Sequence, residues 1–483
     1  WHRSLGVGTK QFTRYEIGYA LSQPNIAYAV SREGVFRSED GGASFVQRSV
    51  GFAYGLVSWT SMLWISPTNA NVLFAGGVSI ARSRDGGINW QRIDYSDELN
   101  RDIGHLDYHA FIPEPDFNGT INRKVYVLND GGIDRLDNAF AQPLGPRHAE
   151  SLDRGMQTVE YYAIAGRIND GLILGGAQDR GVIRTHVGSP RSSLDSFGDG
   201  VCALIDPDDG RFLYGCAQFL SIARIQPNGL IGISDDLPDA NSDREPRANF
   251  LAPVILDPNK TSRMLAGGAY LWRSENVRSA TYDVGKRAKW VSIKNRLLAN
   301  FIGDDSHLIS AIAIAKGDSN DIWVAHNDGR LFRTRSGLSS APTWNTIDDN
   351  ADHNPLPNRY PTRILIDSAN RGRVFVSFGG FSRDNVWQTD NGGANWRSAS
   401  GQMAQSLPSA PVWSIAQHPK QLNTLVAGTE AGVYVTTDAG QHWVAVRAPF
   451  KAAAQDVTFF QGSNKILVGT FGRGAWSLDI EGF

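Results

Sequence analysis

Cysteine is almost missing from this chain of 483 residues, which holds two, and methionine is scarce, with four. Two thiols cannot make a structural zinc site on their own. Cys202 and Cys216 flank the turn Asp206–Gly210 almost symmetrically, which puts them on neighbouring antiparallel strands within bridging reach. In an oxidising compartment they are expected to pair, and the expected setting is extracellular or periplasmic. Net charge is lacking as well. Lys+Arg at 47 against Asp+Glu at 49 leaves −2, so there is no basic field for nucleic acid or for an anionic membrane surface. No apolar run approaches the roughly 20 residues of a membrane-spanning helix. The chain has no Gly-x-Ser-x-Gly elbow, no phosphate loop and no Gly-x-Gly-x-x-Gly leading from strand to helix, which removes the usual nucleophile and nucleotide signatures.

What is plentiful is glycine, at 51, and tryptophan, at 13, in a chain that is 41% hydrophobic. With few long helical runs, this reads as many short strands joined by tight turns. Four segments repeat one pattern: Ser38-Glu-Asp40-Gly-Gly42-Ala-Ser-Phe45, Ser83-Arg-Asp85-Gly-Gly87-Ile-Asn-Trp90, Thr389-Asp-Asn391-Gly-Gly393-Ala-Asn-Trp396 and Thr436-Thr-Asp438-Ala-Gly440-Gln-His-Trp443. The form is Ser/Thr-x-Asp-x-Gly-x-x-aromatic, with Asn391 once in place of Asp. A hydroxyl and a carboxylate two residues apart can both accept from the backbone amides of one turn. These aspartates are therefore expected to build hairpins rather than do chemistry. A calcium loop would also need a bidentate Glu, which is absent.

Each such turn follows a common phrase of apolar strand, turn, second strand ending near Gly, loop and third strand. Ten copies start near Ile26, Val72, Val125, Leu172, Phe212, Met264, Ile322, Val374, Thr424 and Ile466. Ten phrases over 483 residues give about 48 residues apiece, the length of a four-stranded propeller blade. The expectation is an all-β fold: residues 1–483 as a single domain, one large β-propeller of about ten four-stranded blades. Trp1–Leu5 reads like an outer strand without its blade, and Ile466–Ile480 like a blade without its outer strand. The N-terminal strand is expected to close the last blade.

On these turns and phrases the chain resembles the BNR/Asp-box superfamily, which holds sialidases, xyloglucan-type glycoside hydrolases, photosystem assembly factors and sortilin-type receptors. The phrases His105-Leu-Asp107-Tyr-His109, Asn129-Asp130-Gly-Gly132, Gln178-Asp179-Arg180-Gly181 and Gly198-Asp199-Gly200 are similar to those of bacterial secreted proteins of glycosyl-hydrolase-like type. The resemblance implies a secreted propeller that binds or acts on carbohydrate. The departures are specific. The sialidase Arg-Ile-Pro is missing, Asp130-Gly-Gly only approximates the Asp-Val-Gly-Gly of xyloglucanases, and the Cys-rich module of sortilin-type receptors does not occur.

The candidate site residues come from the loops between second and third strands and those entering the first strands. Asp130 and Asp179 hold equivalent loops of adjacent repeats and form the candidate catalytic carboxylate pair of a glycoside hydrolase. The alternative is that each caps its own Gly-rich loop. Asp107, His109, Gln178, Arg180 and Asp199 are the candidate ligand-binding residues. His105, Asp107 and His109, at i, i+2 and i+4 on a strand, would share one face and offer a divalent metal two imidazoles and a carboxylate, or else hydrogen-bond their neighbours. No other cofactor is indicated. Tyr54, Trp59, Trp64, Phe219, Tyr270, Trp272 and Phe381 are candidate sugar-stacking aromatics. Two functions stay open: a propeller binding or hydrolysing an extracellular polysaccharide or oligosaccharide, or a non-catalytic, sortilin-like ring holding a peptide or partner protein in its channel.

Overall fold

The structure, a computed structural model, describes the whole chain except residues 1–3, 8–13, 53–58, 94–103, 143, 190–191, 195–197, 228, 241–246, 284, 298–303, 348–355 and 481–483. It is all-β: nine antiparallel sheets of four strands, one of three and one two-stranded ribbon, Gly401–Gln402 with Gln405–Ser406. Strands within each sheet follow sequence order, so every sheet is a meander of hairpins. All ten repeated phrases fall on the second strand of a sheet. Leu172–Ala177, Val374–Phe378 and Ile466–Thr470 are buried along their whole lengths. A strand covered on both faces has no polar side to show, so these read as continuous apolar runs rather than alternating ones.

The four Ser/Thr-x-Asp/Asn segments link third strands to fourth strands. In each, the hydroxyl accepts from the amide four residues on: Ser38 from Gly42 (2.8 Å), Ser83 from Gly87 (2.9 Å), Thr389 from Gly393 (2.9 Å) and Thr436 from Gly440 (3.0 Å). The Asp or Asn side chain does the same for the amides of Ser44, Asn89, Asn395 and His442, each at 2.9 Å. The bonds from Ser44 hold the Asp40 carboxyl down at about 2, as expected of a carboxylate that organises a turn.

The chain divides into two compact units, Trp1–Met156 and Gln157–Phe483. The first unit contains sheets A (Glu16–Val50), B (Met62–Ile93) and C (Tyr108–Ser151). Their first strands pack side by side in that order. Tyr28, Val30 and Val35 meet Leu73 and Ala75 between A and B; Trp64 and Phe74 meet Phe111 and Val127 between B and C.

The second unit contains sheets D (Tyr161–Leu194), E (Cys202–Gly232), F (Val254–Lys294), G (Ile309–Thr346), H (Pro361–Ser398), I (Val412–Ala445) and J (Ala454–Leu478). Each packs on the next, and Tyr161–Arg167 of D also lies against Ala454–Phe459 of J. Seven sheets thus close on themselves as a β-propeller. At the seam, Ile164 and Ile173 pack on Phe460 and Leu467. A Cβ on Gly166 would stand 2.6 Å from the Phe460 ring, so glycine is what lets the two sheets approach. Backbone bridges join Glu160 to Phe471 and Arg167 to Gln461. Asp456 completes the clasp: it accepts from the Ile164 amide (3.0 Å), Ser414 Oγ (2.8 Å) and Arg363 Nη2 (2.6 Å).

This corrects the expected ring of about ten blades and its N-terminal closure. Sheet J returns onto sheet D of its own unit and has three strands among the described residues. Leu5 pairs in sheet A's own unit, its amide donating to the Ala43 carbonyl (3.0 Å) and its carbonyl accepting from Phe45 (2.8 Å). The backbone groups flanking Ser44 at the first turn offered that partner locally. Trp1–Arg3 lie outside the described residues.

Cys202 and Cys216 stand directly opposite each other in sheet E and are disulfide-bonded. Alkylation of the unreduced, denatured protein is expected to modify no cysteine, and to modify both after reduction. Two labelled cysteines without reductant would contradict the bridge.

Candidate functional site

In the first unit, the strand of sheet C begins only at Tyr108. Asp107 precedes it with φ +62°, so the alternation that would place His105, Asp107 and His109 on one strand face does not run through Asp107. The His105 ring instead bonds its neighbour's carbonyl, Nδ1 to Leu106 O at 2.9 Å. Asp134 anchors this loop by accepting from the Gly104 amide and from Asn129 Nδ2, both at 3.1 Å. A Cβ on Gly131 would stand 2.4 Å from His105 Cβ. Glycine there lets the His105–Asp107 loop lie directly on the Asp130 turn.

The outcome is a compact acidic site. His109 Nε2 is 2.5 Å from Asp130 Oδ1, and carboxylate oxygens of Asp107 and Asp130 lie within 4.8 Å of each other. Burial pushes the Asp107 carboxyl up, and the negative charge of Asp130 adds to the rise; a Trp59 hydrogen bond and the charges of His105 and His109 oppose it. Asp107 Oδ1 is buried with no hydrogen-bond partner among the described residues. Trp59 is 66% exposed, leaving an indole beside a carboxyl. Burial and the neighbouring Asp130 thus bias the Asp107 carboxyl towards its neutral form, while the Asp130 carboxylate is bonded by an imidazole. The same pair supplies two oxygen donors to a hard cation, fewer than such a cation takes in full.

In the second unit, Gln178, Asp179 and Asp199 form one hydrogen-bonded chain with two further residues. Tyr162 donates to Gln178 Oε1 (2.5 Å), Gln178 Nε2 to Asp179 Oδ2 (3.3 Å), the Asp179 amide to Asp199 Oδ1 (2.7 Å), and Gln218 Nε2 to Asp199 Oδ2. Arg180 continues the turn, its amide donating to the Gln178 carbonyl at 2.6 Å. Burial pushes the Tyr162 hydroxyl up, and the charges of Asp199, Asp179 and Glu160 add to it. Asp179, Phe219 and Leu220 all hold positive φ (56°, 54° and 61°). Strained backbone of this kind persists where its surroundings enforce it, and here Asp199 braces the Asp179 amide. Phe219 stacks edge-on to Phe250, which also meets Tyr162.

Of the other aromatics, Phe381 is 79% exposed and Trp64 is core. Trp272 is tied by Nε1 to the buried Asp239 (2.8 Å), and Tyr54 lies outside the described residues. Tyr162 and Asp239 were not singled out by the sequence. Each sits in an ordinary strand or loop phrase, and only the fold gives it a carboxylate or amide partner.

No family model matches the chain. A probable oligoxyloglucan-reducing end-specific xyloglucanase of Neosartorya fischeri is 24% identical over 207 residues, covering 40% of this chain; the chain spans 24% of that relative's length. Among solved structures, the β-propeller domain of Cps50 (Swd1) from Myceliophteria thermophila aligns with a TM-score of 0.44 and 11% identity, covering 66% of this chain and 97% of that one.

Proposed function

We propose that the protein is a carbohydrate-active propeller of the Asp-box type that works outside the cytoplasm on a polysaccharide or oligosaccharide as a glycoside hydrolase. The observation that carries this reading is the Asp107–Asp130 pair. In glycoside hydrolysis one carboxylic acid protonates the leaving oxygen while a carboxylate acts as nucleophile or base. Asp107, raised by burial and by its neighbour, is the acid. Asp130, held by His109, is the carboxylate. Their close approach suits the short separation of retaining enzymes, in which the second group attacks directly. Trp59 offers its exposed indole as a stacking face for a sugar ring. The weak likeness to a protein named as a xyloglucanase supports the same chemistry, with xyloglucan the first substrate to try. This reading pairs Asp130 with Asp107 rather than with Asp179, and leaves Gln178, Asp179, Arg180 and Asp199 as ligand-binding residues of the other unit.

The test is a polysaccharide panel, xyloglucan included, against wild type and the separate variants Asp107→Asn and Asp130→Asn. Wild type is expected to release reducing ends, and each variant to lose this activity while keeping the wild-type melting temperature. Hydrolysis unchanged in both variants would place the chemistry elsewhere. No glycan response in wild type would favour a non-catalytic propeller holding a peptide or protein.

A further inference from the structure

At the position of the turn-building carboxylate, one of the four box turns differs from the others by one atom group, an amide nitrogen for an oxygen. In three of them the second carboxylate oxygen takes a side-chain hydrogen bond: Asp40 Oδ2 from Ser44 (2.5 Å), Asp85 Oδ2 from Asn89 (2.7 Å) and Asp438 Oδ2 from His442 (2.6 Å). In the fourth, Asn391 accepts through Oδ1 from Thr389 Oγ1 and the Asn395 amide, both at 2.9 Å. Those bonds fix the amide's orientation, so an N–H donor stands where the others carry an oxygen.

That turn borders a cavity of about 360 Å³ within the second unit, walled by Asp318, Asp321, Arg333, Arg335, Arg371 and Asn391. Arg333 is held by both oxygens of Asp321 (2.8 and 2.6 Å) and donates to the Gly392 carbonyl (3.0 Å). Arg371 Nη1 donates to Asp318 Oδ2 at 2.6 Å, both side chains being partly exposed. Arg335 makes no ion pair among the described residues. Three arginines less two aspartates leave one positive charge in the wall. An aspartate at 391, the residue of the other three turns, would cancel it.

We propose that this cavity binds a carboxylate monoanion, and specifically the carboxylate of a single acidic sugar such as a hexuronate. Arg335 and Arg371 both line the cavity, and a guanidinium meets a carboxylate as a planar fork. Asn391 lines the cavity with a neutral amide where the other turns carry a carboxylate, and the volume lies within the range of small-ligand pockets. As an acidic-sugar subsite it rests on the carbohydrate reading above, and it is separate from the Asp107–Asp130 pair.

The experiment is a calorimetric titration of the whole chain with sodium D-glucuronate, against glucose, sodium sulfate and an acetylated dipeptide with a free C-terminus. The variants are Arg335→Gln and Asn391→Asp. Wild type is expected to bind glucuronate and not glucose, with each variant weakening binding by about tenfold or more. Asn391→Asp should melt within about 2 °C of wild type, because it installs the residue the other turns already use. Unchanged affinity in both variants, or sulfate binding as tightly as glucuronate, would overturn the proposal. Tighter binding of the dipeptide would overturn the sugar assignment. Asp107→Asn separates the two readings. If that variant loses hydrolysis yet binds glucuronate normally, both stand; if the polysaccharide panel responds and glucuronate does not bind, this subsite alone falls.

Discussion

Replacing Asp456 by alanine is expected to destabilise the seven-sheet unit by about 3 kcal/mol and to lower its melting temperature by roughly 6 °C or more. The carboxylate is buried and serves three donors from three sheets: the Ile164 amide of D, Arg363 of H and Ser414 of I. Removing it strands a backbone amide and a guanidinium at the one seam that no covalent connection spans. The Arg363 side chain is 42% exposed, so water rescues part of its loss, and the figure belongs at the low end for a broken buried pair. Arg363→Ala alone should cost less, and the double variant should cost less than the sum, since both remove the same bond. Hydrogen exchange should report the loss first in Tyr161–Arg167 and Ala454–Phe459. A melting temperature equal to wild type would show that the backbone bridges and apolar seam hold the ring without this residue.

The second large effect is on acid stability. His326 is fully buried at the end of its strand in sheet G. Its Nδ1–H donates to the His307 carbonyl (2.7 Å), and Nε2 accepts from Lys294 Nζ (3.0 Å). Burial pushes the imidazole down to about 3, with the charges of Lys294, Arg330 and His307 pushing the same way. Lys294 is itself pushed down to about 8, chiefly by burial, and lies 4.2 Å over the Phe332 ring. The folded imidazole therefore stays neutral, while the unfolded one protonates near 6.5. Below that pH the unfolded chain takes up a proton the folded one refuses. Stability from this residue is thus full above about 6.5 and falls by about 1.4 kcal/mol per pH unit until the folded group titrates near 3. Urea unfolding of wild type and His326→Gln at pH 7, 6, 5 and 4 checks it. The variant should be less stable at pH 7, and its deficit should shrink steadily on acidification. A deficit that stays constant across the range would mean that His326 protonates equally in both states.

How much of this was legible in the sequence depends on distance along the chain. The second strands announced themselves because burial on both faces forces an unbroken apolar run, and all ten phrases landed on them. The turns were legible because Ser38, Asp40 and Gly42 act within five residues of one another. Closure was not, because it depends on a contact such as Ile164 to Asp456, which leaves no local pattern at either end. The acidic site was legible in part. His105 to His109 and Asp130 were marked by residue type, but the positive φ of Asp107 breaks the strand alternation used to group them. Lys294 and His326 were invisible, being single polar residues at the ends of ordinary apolar strands. Asn391 could be read as a departure from its repeat, but the arginines that give it meaning come from separate segments.

The seam between sheets D and J also dictates an order of events. Ile164 and Asp456 are separated by 292 residues, whereas neighbouring sheets meet across a few dozen. Loop-closure entropy favours the short connections first, so D, E and the sheets after them can stack as they emerge during synthesis. The last step is the return of Ala454–Phe459 onto Tyr161–Arg167. Until then the face of D that carries Ile164 and Ile173 lacks the cover that Phe460 and Leu467 supply. The growing ring is most exposed to aggregation at the sheet it makes first, and it stays so until the sheet it makes last arrives.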